Sequence, residues 1–167
     1  MNTEVKRYYL EINSFSELKE TKLTTKDFQI FNVNPPDFQI NKFFYKNVGK
    51  NHHWVDRLIW AESEWIKYVN DSKVDTYILK NLEDIFGYFE LIHHKSNNEV
   101  EIAYLGLLEK YINKKLGSYL LSSAIKKSFL KNPNRVWVHT CSLDHKNALN
   151  NYLSRGMKVF KEEKIII

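Results

Sequence analysis

The chain has 167 residues (20.0 kDa), of which 43% are hydrophobic and 27% charged, and this composition is typical of one folded domain with a packed core. It excludes a disordered or fibrous chain, and an integral membrane protein is not expected because no apolar run approaches the ~20 residues that cross a bilayer. The net charge of +5 favours an anionic partner, such as nucleic acid, anionic lipid or a phosphorylated cofactor.

The first half of the chain predicts two strands and two helices around an irregular aromatic segment. Pro35 and Pro36 mark a loop, and Asp37 is placed to cap the helix that follows. The predicted ranges are strands Arg7–Ile12 and Phe28–Val33, helices Phe38–Val48 and Glu64–Val69, and the irregular segment Trp54–Trp60.

The second half predicts a three-strand antiparallel meander, followed by helix, strand, helix and strand. Gly106 interrupts the third meander strand, which indicates a β-bulge or a close backbone approach. The predicted strands are Thr76–Leu79, Ile85–His93, Glu99–Leu107, Arg135–Thr140 and Met157–Phe160, and the helices are Leu116–Phe129 and His145–Arg155, the latter ended by Gly156. This order predicts an α/β fold with a mixed, mostly antiparallel central sheet flanked by helices.

The junction between the third meander strand and the long helix carries the clearest chemical signal. A helix N-terminus presents unpaired N–H groups and a partial positive charge, so it is suited to bind a pyrophosphate. Gly117 allows close backbone approach, Ser118 adds a hydroxyl, and Lys114 and Lys115 add cations. The alternative is a solvated helix start, because one glycine is a weak phosphate motif.

Residues from about Asp75 to Phe160 resemble the GCN5-related N-acetyltransferase (GNAT) superfamily. The family's Gln/Arg-x-x-Gly-x-Gly/Ala loop corresponds to Ile112–Gly117, where only the last glycine matches. The order of elements resembles the family's, and Ala148-x-x-x-Tyr152-x-x-x-Gly156-Met157 is similar to its Ala-x-x-x-Tyr-x-x-x-Gly-Phe ending. The resemblance implies a GNAT fold over residues 1–167, with an acceptor-side portion at 1–74 and an acyl-CoA-binding core at 75–162.

The resemblance also implies roles for individual residues. The backbone of Leu105–Leu107 would pair with the pantetheine arm of acetyl-CoA as an added strand, in a V-shaped opening beside the strand Arg135–Thr140. Tyr152 would protonate the leaving thiolate, and Glu101 would take a proton from the acceptor amine. The implied coenzyme contacts are Leu105, Gly106, Leu107, Ile112, Asn113, Lys114, Lys115, Leu116, Gly117, Ser118 and His145.

Three residues compete for the role of base. An amine attacks a thioester only in its neutral form, so a group must remove its proton. Glu101 lies in an apolar strand where burial would raise its pKa, but it could instead face solvent or pair across the sheet. Glu90 on the neighbouring strand and His139 are the rivals. Tyr152, likewise, could be a core aromatic only.

Other clusters favour less specific interpretations. His52-His53 and His93-His94 are adjacent pairs whose side chains point apart, so no metal site is predicted. His139 and Cys141 would share a strand face, but a buried cysteine is more often a small apolar residue than a nucleophile. The aromatic cluster Trp54, Trp60, Trp65 and Tyr68 is interpreted as a hydrophobic lid over the sheet rather than a base-stacking surface.

These features together predict an acetyl-CoA-dependent N-acetyltransferase that transfers its acyl group directly to a primary amine of a small molecule or a protein. The alternatives are a degenerate family member that binds coenzyme A without transfer, and a basic nucleic-acid-binding module, which is less favoured. No membrane partner is expected, and a homodimer is left open. The lone cysteine and the absence of a secretory signal in residues 1–8 favour the cytoplasm.

Overall fold

Seven strands and four helices make up the computed structural model, which describes residues 2–25, 27–112 and 115–167. The strands are β1 (Glu4–Ile12), β2 (Gln29–Asn32), β3 (Val74–Lys80), β4 (Ile85–His94), β5 (Glu99–Leu107), β6 (Arg135–Cys141) and β7 (Lys158–Ile166). The helices are α1 (Phe38–Gly49), α2 (Glu62–Val69), α3 (Leu116–Phe129) and α4 (Ala148–Ser154), with short 3-10 turns at Phe15–Glu17 and Glu109–Tyr111.

All seven strands join one sheet in the order β2-β3-β4-β5-β6-β1-β7. Neighbouring strands are antiparallel except β5 and β6, which are parallel. The predicted α/β class with a mixed, mostly antiparallel sheet is therefore confirmed. β1 lies between β6 and β7 rather than beside β2, so the first strand of the chain completes the half of the sheet that the last strands build.

The two faces of the sheet bury two separate apolar cores. Phe89 of β4 packs in the core that includes Leu120 and Ile125 of α3, whereas its neighbour Tyr88 packs in the core that includes Phe44 and Val48 of α1. Successive side chains of a strand point to opposite faces. Helix α3 therefore covers one face of β4 and β5, and α1 covers the other.

Local signals in the sequence place several elements close to their observed bounds. The carboxylate of Asp37 accepts the N–H of Gln39 at 3.0 Å, which confirms the predicted cap of α1. Gly156 has a positive φ of 103°, and a side chain there would meet the carbonyl oxygen of Glu17 at 2.2 Å. Both observations explain why the chain has glycine after α4.

Two expectations about element bounds are wrong, and one of the two alternatives at Gly106 is excluded. The bulge in β5 lies at Ala103, because Glu90 pairs with Tyr104 and Leu91 with Ile102, whereas Gly106 pairs regularly with Tyr88. Helix α4 begins at Ala148 rather than His145. The C-terminal segment forms one continuous strand, Lys158–Ile166, rather than a short strand at Met157–Phe160.

Physical reasons for these differences lie in long-range contacts. The Asp144 side chain accepts hydrogen bonds from the Thr140 hydroxyl and the Cys141 N–H, so the chain after β6 makes a turn before a helix can start. β7 extends because it pairs with β1 from Glu4 to Glu11. A Cβ at Gly106 would lie 2.3 Å from Cγ1 of Val48, so a close approach, not a bulge, requires this glycine.

Within the described residues, no helix is long and apolar enough to cross a membrane.

Candidate functional site

The two parallel strands β5 and β6 separate partway along their length. Their pairing covers three positions and ends with Glu101 opposite Trp137, although β5 continues to Leu107 and β6 to Cys141. Between residues 102–107 and 138–141, all of them described, the two strands are no longer paired. Parts of their backbone edges are therefore available to a ligand lying in the opening, which can add to a strand as a further strand would.

A cavity of about 950 Å³ occupies this opening. Its volume falls within the range of roughly 300–1,000 Å³ that is usual for small-molecule sites. The cavity is lined by residues of β5, β6, α4 and the start of α3, and by the loop between α1 and α2. The residues from that loop are His52, His53, Trp54, Val55 and Asp56.

The start of α3 forms the end of the cavity that suits an anion. Lys115, the N-cap, has a left-handed conformation (φ 60°), and Gly117 and Ser118 follow in the first helical turn. A Cβ at Gly117 would lie 3.8 Å from Leu107 Cδ1 and 4.0 Å from Asn151 Nδ2, so the protein itself leaves room for one. The space beside Gly117 belongs to the cavity, where a diphosphate would approach the helix N–H groups.

Most of the predicted coenzyme contacts lie in this cavity. Those that line it are Leu105, Gly106, Leu107, Ile112, Lys115, Gly117, Ser118 and His145. Leu116 does not line it, because its side chain is buried in the core beneath α3. Asn113 and Lys114 lie outside the described residues.

Tyr152 lines the cavity from α4 and is largely buried. Burial, with a further contribution from the nearby Asp144 carboxylate, raises the pKa of the Tyr152 phenol well above its ordinary value. The phenol therefore keeps its proton at neutral pH and can donate it.

Glu101 lies beside the point where the strands separate, but it is not among the residues that line the cavity. Its carboxylate is 2.9 Å from Nε2 of His94, and its side chain is 16% exposed. The His94 ring stacks on Trp137 at a centroid distance of 6.0 Å. Glu101 thus has a cross-strand partner, one of the two alternatives that the sequence left open.

Glu90 is fully buried and paired with Arg57 across 33 residues of sequence. Nη1 of Arg57 donates to both carboxylate oxygens, at 2.9 and 3.1 Å. Burial opposes the charge on Arg57, but the Glu90 carboxylate more than offsets this effect and raises the pKa of the guanidinium. Both carboxylate oxygens thus face Arg57, and Glu90 is not among the residues that line the cavity, so it is poorly placed to accept a proton from substrate.

His139 lines the cavity from β6, opposite Tyr9 of β1. Desolvation by the surrounding groups and the nearby Arg7 guanidinium lower the pKa of His139 below 6.5, with Glu101, Asp144 and Glu163 acting in the opposite direction. The imidazole is therefore mostly neutral at pH 7, the form that accepts a proton. Of the three candidate bases, His139 is the one that lines the cavity.

Cys141 also lines the cavity, next to His139 on the same strand face. Burial raises the pKa of its thiol. The thiol is therefore protonated at neutral pH, and this form is a poor nucleophile.

Two sets of contacts at the site were not predicted from the sequence. The loop residues His52 to Asp56 line the cavity, and the His52 ring lies 6.4 Å from the His145 ring. Asn151 of α4 donates from Nδ2 to the Gly117 carbonyl at 3.2 Å and so joins α4 to the start of α3. The resemblance places the aromatic segment in the acceptor-side portion, but no local pattern in the sequence indicates that His52 to Asp56 line the cavity.

Comparison with protein-family models identifies the class of protein to which this fold and cavity belong. The model described as "Acetyltransferase (GNAT) family" matches residues 30–157, about three quarters of the chain. The chain belongs to the acetyltransferase (GNAT) family.

Solved structures of the same fold share little sequence with this chain. A GCN5-related N-acetyltransferase from Sphaerobacter thermophilus is 11% identical, with a TM-score of 0.75 over 99% of this chain and 51% of its own. One from Kribbella flavida is 11% identical, with a TM-score of 0.66 over 96% and 56%. An aminoglycoside acetyltransferase from an uncultured soil metagenomic sample is 14% identical, with a TM-score of 0.63 over 77% and 87%.

The chain spans about half to three fifths of the length of several of these structures. Comparison with curated protein sequences gives no match. The structural likeness therefore establishes the fold, while the identity of the acceptor has to be argued from the site.

Proposed function

We propose that the protein transfers an acetyl group from acetyl-CoA to a primary amine by direct attack in a ternary complex. The observation that carries the proposal is the cavity between the separated strands β5 and β6. One end meets the start of α3 at Gly117 and Ser118, and the walls carry His139 and Tyr152. These features match the parts of acetyl-CoA in order. The diphosphate would lie at the helix start, the extended pantetheine arm along the strand edge, and the thioester between the two side chains.

The chemistry follows from these positions. The neutral amine nitrogen attacks the thioester carbonyl carbon, whose oxygen is polarised by a backbone N–H near Leu105. The carbon–sulfur bond breaks, and the amide bond to nitrogen remains. His139 takes the proton that nitrogen loses, and Tyr152 gives a proton to the departing thiolate.

Glu101 supports the same proton transfer through its charge. The Glu101 carboxylate is one of the groups that raise the pKa of His139 and so partly offset its lowering. Its negative charge would favour the imidazolium that forms after proton transfer. We assign the proton-accepting role to His139 and keep Glu101 as the alternative that the experiment below separates.

A covalent enzyme intermediate is not part of the proposal. The candidate nucleophile in the cavity is Cys141, and the raised pKa of its thiol opposes attack on a thioester. Acetyl-CoA and the amine must therefore be bound together, which predicts intersecting rather than parallel double-reciprocal plots.

The test combines ligand binding with turnover. Acetyl-CoA should raise the melting temperature of the protein, and a panel of primary amines should release free thiol with at least one of them. Stabilisation without thiol release from any amine would favour a coenzyme-binding protein without transfer activity. No stabilisation, together with salt-sensitive nucleic-acid binding, would favour the basic binding module.

The base is identified by pH dependence with an acceptor that is a weak base, so that titration of the amine does not mask the enzyme. Protonation of His139 removes the base, so kcat should be full above pH 6.5 and should fall at lower pH, as its lowered pKa requires. His139→Gln should lower kcat about 100-fold and should abolish the fall of kcat at acidic pH. If Glu101→Gln abolishes this fall and His139→Gln retains it, Glu101 is the base.

A further inference from the structure

We propose that Arg57, through its contact with Glu90, positions the acceptor side of the cavity. The inference rests on the proposed function, since it concerns the site of the amine. Arg57 follows directly after the cavity-lining residues 52–56, yet its side chain points away from solvent and is 8% exposed. An irregular segment of exposed loop is thus fixed at its end by a buried charge.

Arg57 lies in an enclosure of five aromatic rings, which we call the aromatic box. The guanidinium carbon is 4.1 to 5.8 Å from the five ring centroids. The members of the box are Tyr45, Trp60, Trp65, Tyr68 and Tyr104. Aromatic faces attract a cation most strongly where water is excluded.

Glu90 closes the aromatic box with the opposite charge. Its side chain is fully buried, and both of its oxygens accept from Nη1 of Arg57. A cation surrounded by rings and facing a carboxylate is the arrangement by which proteins bind organic cations. Arg57 therefore occupies, from within the chain, a site whose chemistry suits a guanidinium.

The aromatic box and the cavity share a wall. Tyr104 is a member of the box and also lines the cavity, and its ring packs edge-on against Trp54 at 4.8 Å. The Tyr45 hydroxyl accepts the backbone N–H of Arg57 at 3.1 Å. Any displacement of Arg57 is thus transmitted to Trp54 and Tyr104, which face the opening.

The part of the cavity proposed to hold the diphosphate lies elsewhere. Its features are the start of α3 at Gly117 and the α4 residue Asn151 that contacts it. Among the described residues, neither Gly117 nor Asn151 is a contact of the Arg57 side chain. Loss of Arg57 should therefore affect the acceptor far more than acetyl-CoA. A purely structural ion pair would lower stability without this selectivity.

Steady-state kinetics with both substrates tests the selectivity. Arg57→Ala should raise KM for the amine by roughly 10–100-fold, the scale of small misplacements in a site, and change KM for acetyl-CoA by less than about twofold. Arg135→Ala is the matched control, because Arg135 also pairs with two carboxylates, those of Glu11 and Glu99, on another part of the sheet. It should lower stability and leave the ratio of the two KM values unchanged.

Chemical rescue tests the aromatic box itself, whether or not turnover is observed. Methylguanidinium at millimolar concentration should raise the melting temperature of Arg57→Ala and restore hydrogen-exchange protection of residues 52–56. The double variant Arg57→Ala/Glu90→Gln keeps the space left by the Arg57 side chain but lacks the carboxylate charge of Glu90. It should therefore show neither response. Urea at the same concentration controls for solvent effects.

Two milder variants apply if Arg57→Ala does not fold. Arg57→Lys keeps the charge but loses the planar group, and Tyr45→Phe removes the hydroxyl that holds the Arg57 backbone. Each should shift the amine KM in the same direction by a smaller factor.

The inference is overturned if both KM values rise together, or if residues 52–56 exchange at the wild-type rate in Arg57→Ala and do not respond to methylguanidinium. If the wild-type protein acetylates no amine, the proposed function fails, and the exchange experiment still decides the placement by Arg57.

Discussion

The two sides of the cavity are built in different ways. On the side proposed for the coenzyme, residues 105–107 of β5 and the start of α3 present main-chain groups, and the side chains nearby are mostly small or apolar. On the side proposed for the acceptor, the irregular loop before α2 ends at Arg57, which forms a buried ion pair inside aromatic rings. The first construction tolerates change of side chains, whereas the second depends on the identity of a few residues.

This difference has a physical basis. Backbone N–H groups at a helix start are present whatever the sequence, so Ile112 and Lys115 can replace the family's usual residues and the helix still begins at Leu116. A buried charge has no such tolerance, because removing its partner leaves an uncompensated ion in an apolar environment. The acceptor side should therefore be more sensitive to single substitutions.

Glu90→Ala should have the largest effect and would show this sensitivity as lost stability. It leaves the Arg57 guanidinium buried without its carboxylate, a change that costs about 3–5 kcal/mol. The measurement is chemical denaturation of the wild-type protein and the variant. Glu162→Ala is the control, because its contact with Lys6 lies between exposed side chains, and it should unfold as the wild type does.

Adding Arg57→Ala to Glu90→Ala should recover part of the lost stability, since the unpaired charge is then gone. If Glu90→Ala instead unfolds at the same denaturant concentration as the wild type, the ion pair does not contribute measurably to stability. The two sides of the cavity would then not differ in their sensitivity to substitution.

The sequence predicts β5 and α3 well because the signals for these elements are local. Alternation along Glu99–Leu107 sets the bounds of β5, and apolar residues at helical spacing set those of α3 up to Phe129. The proposed anion site also rests on a local feature, the strand-to-helix junction between these two elements. The resemblance of this half to a family is also carried by local motifs.

The acceptor side could not be predicted in the same way because it depends on contacts between distant residues. Arg57 and Glu90 are 33 positions apart, and neither has a local feature that indicates the other.

The bulge at Ala103 depends on the register between β4 and β5, which no pattern within β5 specifies. The position of β1 between β6 and β7 is likewise a property of the whole sheet.

Tyr152→Phe should have an intermediate effect, confined to turnover on the coenzyme side. The phenol keeps its proton because burial raises its pKa, so loss of the hydroxyl should lower kcat by about 10–100-fold, less than most general acids because water can substitute. KM for acetyl-CoA should be unchanged. Tyr119→Phe, on α3 beside a separate cavity, is the control, and turnover at the wild-type rate in Tyr152→Phe would remove this role.

The central claim is that the opening between β5 and β6 holds coenzyme A with its diphosphate at the start of α3. Calorimetric titration of acetyl-CoA into the wild type and two variants at Gly117 tests this claim most directly. We expect one acetyl-CoA bound per chain, a small change in affinity for Gly117→Ala, and an affinity about tenfold weaker for Gly117→Leu, equivalent to about 1.4 kcal/mol, without a lower melting temperature. Absence of binding to the wild type, or equal affinity in all three proteins, would contradict it.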